Sequence, residues 1–459
     1  MKKYLSISLL HPKLVRGGGQ QIAYEVFKGA QEDPEISAHL LAGIDPALPN
    51  ANTPPGAVFT GLDGEKNENL LVSYGFDVRN HLQTSWFVIE KLKEYFEDNS
   101  FDWIHFHHSL FVGLDMLDIV KQMQPQAKIF YTLHEYLPIC LADGQLKKKY
   151  NKSMCYDPSP QACFKCFPEL SVDYFFLRNQ LFQSKFELVD HFITPSEFTR
   201  GRFIEWGIAP ERITVIANGQ ENINKEPVTL ASKPKADKET RFAFFGQMID
   251  NKGAHLLVEA ALLLAEAFDR EEEEKQAARS KGKDTEEATK KEKRRLPFKI
   301  YFYGGNMQFA SQEYREKLEK LLASCDDRLR EALVFHGEYT HEQLPGIMRS
   351  VDCVVTPSTW FEVFGLVVSE AWMFGKPVIA ADIGGLSERI NDGENGLKFR
   401  PNDAQDLADR MREYMEDYVT KGKGFPGIVP PIGRDEFWHL HREIFESHSA
   451  SVLRKKKAS

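Results

Sequence analysis

Short apolar runs alternate along this chain with longer stretches in which apolar side chains recur every third or fourth position. In the first half "KYLSISLL", "WIHFHH", "KIFYTLHEY" and "HFITPS" read as buried strands or strand ends, with helices over 82–97 and 171–189, and "RGGGQQIAYEVFKGA" as a glycine loop entering a helix. The second half repeats the plan. "RFAFFGQ" is a strand, "KGAHLLVEAALLLAEAF" a helix, and "FKIYFYGG", "LVFHGEY", "CVVTPS" and "PVIAAD" are four more buried strands. Strands taking turns with helices predict parallel sheets covered on both faces. The expectation is an α/β protein of two Rossmann-like, doubly wound domains facing a cleft. Its predicted parts are residues 1–225, residues 235–430, and an amphipathic helix within 431–450. That helix carries Phe437, Leu440, Ile444 and Phe445 and must bury them, with the N-terminal domain as the candidate surface. A polar, proline-bearing stretch near 222–240 reads as the linker, and the charged run 269–295 as a solvated helical extension or a disordered insertion.

Bulk properties narrow the function. A length of 459 residues suits two domains, and a net charge of −9 argues against binding nucleic acid by phosphate neutralisation. The first apolar run is short and leads into His11, Pro12 and Lys13, so it reads as a strand rather than a secretory signal. No run of about 18 apolar residues is present to span a bilayer. A cytoplasmic protein is expected. "VDYFFLRNQLFQSKF" mixes aromatic and basic residues, which suits peripheral contact with the inner membrane face; the alternative is a helix packed on the N-terminal sheet.

Candidate chemistry follows the strands, because ligands of such sheets bind at the carboxyl ends. Glu362 and Glu370, separated by seven residues, bracket a predicted helix start at Gly365. The backbone N–H groups of Val363, Phe364, Gly365 and Leu366 and the positive helix end suit a phosphate. Two acids around such a phosphate suit a sugar nucleotide, one for the sugar and one for the ribose. Lys252 and Gln247 follow "RFAFFG", where a lysine reaches a diphosphate as a point charge. His134 ends another strand and can hydrogen-bond a sugar hydroxyl or an acceptor; a backbone-bonded histidine is the alternative. His105, His107 and His108 end an earlier strand, in no metal-binding pattern. The glycines at 17–19 do not form a dinucleotide fingerprint and read, taken alone, as a turn. Cys140, Cys155, Cys163 and Cys166 lie in a segment poor in apolar periodicity that needs a staple; four thiolates suit structural zinc, with disulfides or free thiols as alternatives. Cys325 and Cys353 read as core thiols.

Taken together, "FFGQMIDNKG", "FYGG", "VVTPSTWFEVFGLVVSEA", "GKPVIAADIGGLSERI" and "DGENGL", with "RGGGQQIAYEV", "IHFHH", "YTLHEY" and "ERITVIANG", resemble the retaining glycosyltransferases of family 4 over nearly the whole chain outside the charged run. The resemblance implies the GT-B fold and transfer of a sugar from a nucleotide-sugar donor to a glycan or lipid-linked acceptor, without a catalytic cofactor. It gives Glu362 the transferred sugar, Glu370 the ribose, Lys252 the diphosphate and His134 a place near the donor sugar. Gly18 and Gly19 match the loop that shapes the donor and acceptor sites. Gln247 stands where many members carry arginine. No Asp-x-Asp is present to bring a metal to the diphosphate. A nucleotide-sugar epimerase of the same fold and a silent binding module are the other readings.

Overall fold

The computed structural model describes residues 1–15, 17–47, 53–62, 64–226, 239–280 and 295–457. They divide into two compact units, Met1–Asn222 with Ile432–Ser459, and Ile223–Pro431.

The first unit is built on strands β1 (Lys2–Leu9), β2 (Ile36–Ile44), β3 (Phe59–Gly61), β4 (Glu68–Val72), a small hairpin of β5 (Phe76–Asp77) and β6 (Leu82–Gln83), then β7 (Trp103–Phe106), β8 (Lys128–Thr132), β9 (His191–Thr194) and β10 (Ile213–Val215). The main sheet runs β10-β9-β8-β7-β1-β2-β4-β3, parallel throughout except for β3 against β4. Its helices are α1 (Gly18–Glu32), α2 (Trp86–Asp98), α3 (Met116–Met123), α4 (Pro160–Cys166), α5 (Val172–Phe186) and α6 (Glu197–Trp206). Tyr4 through Ser8 are all buried, as a strand covered on both faces requires.

The second unit contains β11 (Thr240–Phe245), β12 (Phe298–Tyr303), β13 (Leu333–Gly337), β14 (Cys353–Thr356), β15 (Val378–Ala381) and β16 (Gly396–Phe399), with α7 (Ala254–Ser280), α8 (Gln312–Ser324), α9 (Asp327–Ala332), α10 (Leu344–Ser350), α11 (Leu366–Met373), α12 (Gly384–Arg389) and α13 (Ala404–Glu413). Its strands lie in the order β13-β12-β11-β14-β15-β16, all parallel. That is the doubly wound order, two strands to one side of the first strand, β11, and three to the other.

The last helix, α14 (Arg434–Lys457), belongs to the first unit. Phe445 packs 4.2 Å from Phe130, 5.5 Å from Trp103 and 5.8 Å from Tyr4, between ring centres. Arg434 bonds Glu25 at 2.8 Å, Glu221 at 3.0 Å and Glu32 at 3.2 Å. Gly29 is required on α1, because a Cβ there would meet the Trp438 Cβ at 2.5 Å.

Several expectations need correction. Residues 82 and 83 pair in a hairpin, and helix α2 starts only at Trp86. β13 is an edge strand, buried only at Leu333, with Phe335 43% exposed, so it is not the buried strand its apolar letters suggested. The described start of the charged run is a helical extension of α7, as one of its two readings expected, though its first turn is held: Asp269 clasps Arg328 through bonds of 3.0 and 2.9 Å and Glu271 pairs with Arg412. Residues 281–294 of that run and 227–238 of the expected linker lie outside the described residues. On α5, Phe182 and Phe186 face inward, Phe186 lying 5.1 Å from Tyr131 on β8. Arg178, counted among the basic residues of an interfacial face, is buried and bonds the carbonyls of Arg79, Leu137 and Pro138. Phe176 and Leu177 are the exposed pair. Among the described residues no helix is long and apolar enough to cross a membrane.

Candidate active site

In the second unit the strand order reverses between β11 and β14, the place where sheets of this kind bind ligands. Lys252 follows β11 and Glu362 follows β14. A glycine-dependent approach brings them together. Gly253 has φ +74°, and a Cβ there would lie 1.8 Å from the Pro357 carbonyl oxygen, so only glycine lets this turn meet the loop after β14. Thr359 then ties the loop to the turn, its N–H donating to Asn251 O at 2.9 Å and its Oγ1 to Asp250 O at 3.0 Å.

Lys252 Nζ stands 2.6 Å from Glu362 Oε1. Ser358 Oγ and Trp360 Nε1 donate to the same oxygen at 2.9 and 3.0 Å, so none of the three bonds uses Oε2. Burial pushes the Glu362 carboxyl up, but the Lys252 charge and the bonds from Lys252, Trp360 and Ser358 outweigh it and hold the group below its ordinary value. Glu362 is therefore a fixed anion. Its backbone is clamped as well: Gly385 N–H donates to Glu362 O at 2.6 Å, and Gly384, at φ +59°, lies where a Cβ would meet that oxygen at 2.7 Å.

Gly365, at φ +82°, caps α11, and Leu366 opens the helix. The first N–H groups of a helix have no partner within it, so this end suits an anion. Val363 and Phe364 are buried just before it, and Glu370 lies about 6 Å along the axis from Leu366, partly buried. Gln247 is exposed after β11. Arg389 of α12 was not singled out from the sequence. It donates to Gly365 O at 2.7 Å and to Ser369 Oγ at 2.8 Å, and its guanidinium lies 3.8 Å from the Phe364 ring centre and 5.0 Å from that of Trp372. Burial lowers its pKa to about 9, with the Glu388 charge opposing. It fixes the turn that Gly365 makes. A half-buried arginine in "LSERI" has the spacing of any surface helix cation, so no signal in the sequence marks it.

In the first unit the order reverses between β1 and β7. Gly17 caps α1, and Gly18 and Gly19 are its first residues, so the expected glycine loop is largely helix. A Cβ on Gly19 would come within 3.6 Å of the His134 Cβ, which places His134 beneath this helix start. His134 Nε2 lies 3.0 Å from His107 Nδ1. Burial lowers the His134 pKa to about 3, assisted by His108 and His441, so the ring is neutral at ordinary pH. His105, His107 and His108 are all buried. Glu135 was also missed: its carboxyl is pushed up to about 8 by burial, against a backbone bond from Leu137 and the Arg178 charge, and stands 3.6 Å from His108 Nε2.

Two sequence families match the chain in succession, Glycosyltransferase Family 4 over residues 55–220 and Glycosyl transferases group 1 over 227–423. The chain belongs to family 4 of the glycosyltransferases. Among solved structures, HepE of Anabaena in complex with UDP and glucose aligns with a TM-score of 0.61 and 17% identity, over 97% of this chain and 100% of that one. Sucrose-phosphate synthase of Thermosynechococcus elongatus aligns at 0.59 and 16% identity over 100% and 99%. Both carry the fold, GT-B. Among curated proteins, a D-inositol 3-phosphate glycosyltransferase of Nocardia farcinica is 39% identical over 126 residues, 27% of each chain. A glycogen synthase of Mycobacterium tuberculosis is 36% identical over 90 residues, 20% of this chain and 22% of that one. The chain spans only about a quarter of the length of these curated relatives.

Away from these strand ends, the family-4 chain brings its four cysteines together. Cys140, Cys155, Cys163 and Cys166 line one small cavity with Ile139, Leu141 and Phe175. α4 supplies the last two, one turn apart, and Cys155 closes a turn by donating its N–H to Leu146 O at 2.7 Å. Burial pushes the Cys163 thiol up to about 12, and the other three cysteines add to it. The donor set suits zinc, but among the described residues no three cysteines, histidines or carboxylates stand close enough to hold a metal ion. Cys325 and Cys353 are buried, as read.

Proposed function

We propose that this chain is a retaining, metal-independent glycosyltransferase that moves a hexose-type sugar from a nucleotide-sugar donor to a glycan or lipid-linked saccharide acceptor in cell-surface polysaccharide biosynthesis. The observation that carries the reading is the Lys252–Glu362 pair at the strand-order reversal, beside the amino end of α11. The solved HepE complexes, which hold UDP, UDP with glucose, and UDP-glucose, support a nucleotide-sugar donor by analogy of fold.

In this mechanism the bond between the anomeric carbon and the diphosphate oxygen breaks, and its electron pair leaves with the phosphate. Lys252 and the α11 N–H groups stabilise that developing charge. Glu362, held ionised, faces the positive charge on the sugar. The acceptor hydroxyl attacks from the face the phosphate leaves, and its proton passes to the departing phosphate oxygen, so configuration is retained without a covalent nucleophile. Glu370 takes the ribose. His134, with Gly18 and Gly19, is assigned to a sugar hydroxyl of the donor or the acceptor. Gln247 brings no charge, which leaves the diphosphate to Lys252 and the helix end. Residues 1–225 are assigned to the acceptor and 235–430 to the nucleotide sugar.

Turnover of nucleotide sugars with and without acceptor tests the reading. Transfer that requires acceptor supports it; acceptor-independent epimerisation, or binding without turnover, overturns it. Glu362→Gln is expected to lower kcat by about 10²–10³, and transfer unaffected by that change would refute the site assignment. The four cysteines carry a separate proposal, a structural zinc, supported by their convergence on one cavity. Protein purified without chelator and found free of zinc would refute it. Peripheral contact with the inner membrane face is proposed through the exposed Phe176 and Leu177, and is refuted if vesicles containing anionic lipid fail to retain the protein.

A further inference from the structure

His134 meets His107 within its own unit. His107 Nδ1 and His134 Nε2 are 3.0 Å apart, with the two rings 16° from parallel. Burial holds both imidazoles in their neutral forms, so one nitrogen of this contact donates and the other accepts. Which one donates decides what His134 presents on its other nitrogen.

The surroundings of His107 settle the direction. Its ring is enclosed, with the His105 ring centre 3.9 Å away, and its Nε2 is buried with no hydrogen-bond partner. His105 is committed elsewhere, Nδ1 to the Tyr4 hydroxyl at 3.1 Å and Nε2 to Thr132 Oγ1 at 2.7 Å. If His134 donated from Nε2, His107 would have to carry its own proton on Nε2, a buried N–H with no acceptor. Orphaned buried N–H groups are rarer than under-satisfied acceptors. If His107 donates from Nδ1 instead, only a lone pair is left unpaired.

We propose that His107 is a positioning residue: it donates from Nδ1 to His134 Nε2 and so fixes His134 as the Nδ1–H tautomer, a neutral hydrogen-bond donor toward a ligand oxygen. His134 then recognises a hydroxyl or phosphate oxygen and does not abstract a proton. The proposal rests on the assignment of His134 to the donor or acceptor sugar made above.

The test combines a spectroscopic readout with kinetics on the full chain. Nitrogen chemical shifts of isotope-labelled histidine identify the protonated nitrogen of His134; the expectation is Nδ1. His107→Asn keeps an N–H donor near the Nδ1 position, and His107→Phe removes it. The Asn variant should retain the tautomer and turn over within a few-fold of the parent, while the Phe variant should lose the tautomer and about tenfold in kcat/KM. A proton on His134 Nε2 in the parent overturns the proposal whatever the rates. A proton on Nδ1 with both variants as active as the parent overturns the positioning role, while leaving both the assignment of His134 to substrate and the glycosyltransferase reading intact. Should His107→Phe fail to fold, the parent shifts and His107→Asn still decide the matter.

Discussion

Replacing Lys252 with methionine isolates the electrostatics of the site. Two ions about 3 Å apart attract by roughly 5 kcal/mol at an effective dielectric near 20, and the variant loses this while Glu362 stays buried. Removing one partner of a buried pair costs about 3–5 kcal/mol. Here the Lys252 side chain is 29% exposed and Trp360 and Ser358 still donate to Oε1, so the low end or below applies, about 2–3 kcal/mol. The cost must depend on pH. In the parent the Glu362 pKa is lowered, so its contribution to stability is present above the ordinary carboxylate range and is lost only as pH falls through the lower folded value. In the variant burial acts unopposed by the lysine, and protonation relieves the stranded charge. Urea unfolding, read on the transition of the C-terminal unit, should show the parent ahead by about 2–3 kcal/mol at pH 7 and by well under half of that near pH 4. A gap equal at both pH values would refute the electrostatic account and leave only lost side-chain packing.

Three further outcomes follow from other parts of the molecule. Gly29→Ala should destabilise the N-terminal unit by about 2–4 kcal/mol in thermal unfolding because its Cβ collides with Trp438, whereas Gly19→Ala, whose Cβ makes an ordinary 3.6 Å contact in the same helix, should be neutral or stabilising by up to about 1 kcal/mol. Glu135 has a raised pKa, so its contribution is complete below about pH 4 and is lost as pH rises through about 8; Glu135→Gln should remove that decline from the stability–pH curve of the N-terminal unit. Arg389→Met leaves Gly365 O and Ser369 without their donor and should weaken nucleoside diphosphate binding about tenfold in calorimetry, through the loosened turn at α11.

The core of both sheets could be read from the sequence because β14 and β15 are short, nearly all apolar and buried throughout, and β1 and β11 each hold a largely apolar run buried on both faces, Tyr4–Ser8 and Phe242–Phe245. β2, β4, β10 and β16 were not anticipated: "ISAHLLAGI" mixes His39 and Ser37 into its run, and "ENLLV" opens on Glu68, buried only because His11 Nε2 pairs with it at 2.7 Å. Pairwise burial of that kind cannot be seen in a one-dimensional pattern. The acidic loop and Lys252 were legible because glycine and proline mark the turns on which they stand. Arg389, Glu135 and the inward-facing Arg178 were not, since each is a charge whose partners are backbone carbonyls or buried groups far away in sequence.

The return of α14 to the first unit sets an order of events during synthesis. Phe445 and Trp438 complete the core around Tyr4, Trp103 and Phe130, yet they emerge only after all of Ile223–Pro431 has been made. At about 5–20 residues per second that is a delay of roughly 10–40 s. Throughout that interval the middle of the chain can fold as a contiguous unit while its flanking unit waits with an apolar face uncovered. A nonsense mutation near residue 431 would therefore spare the part that ends there and injure the part that began first.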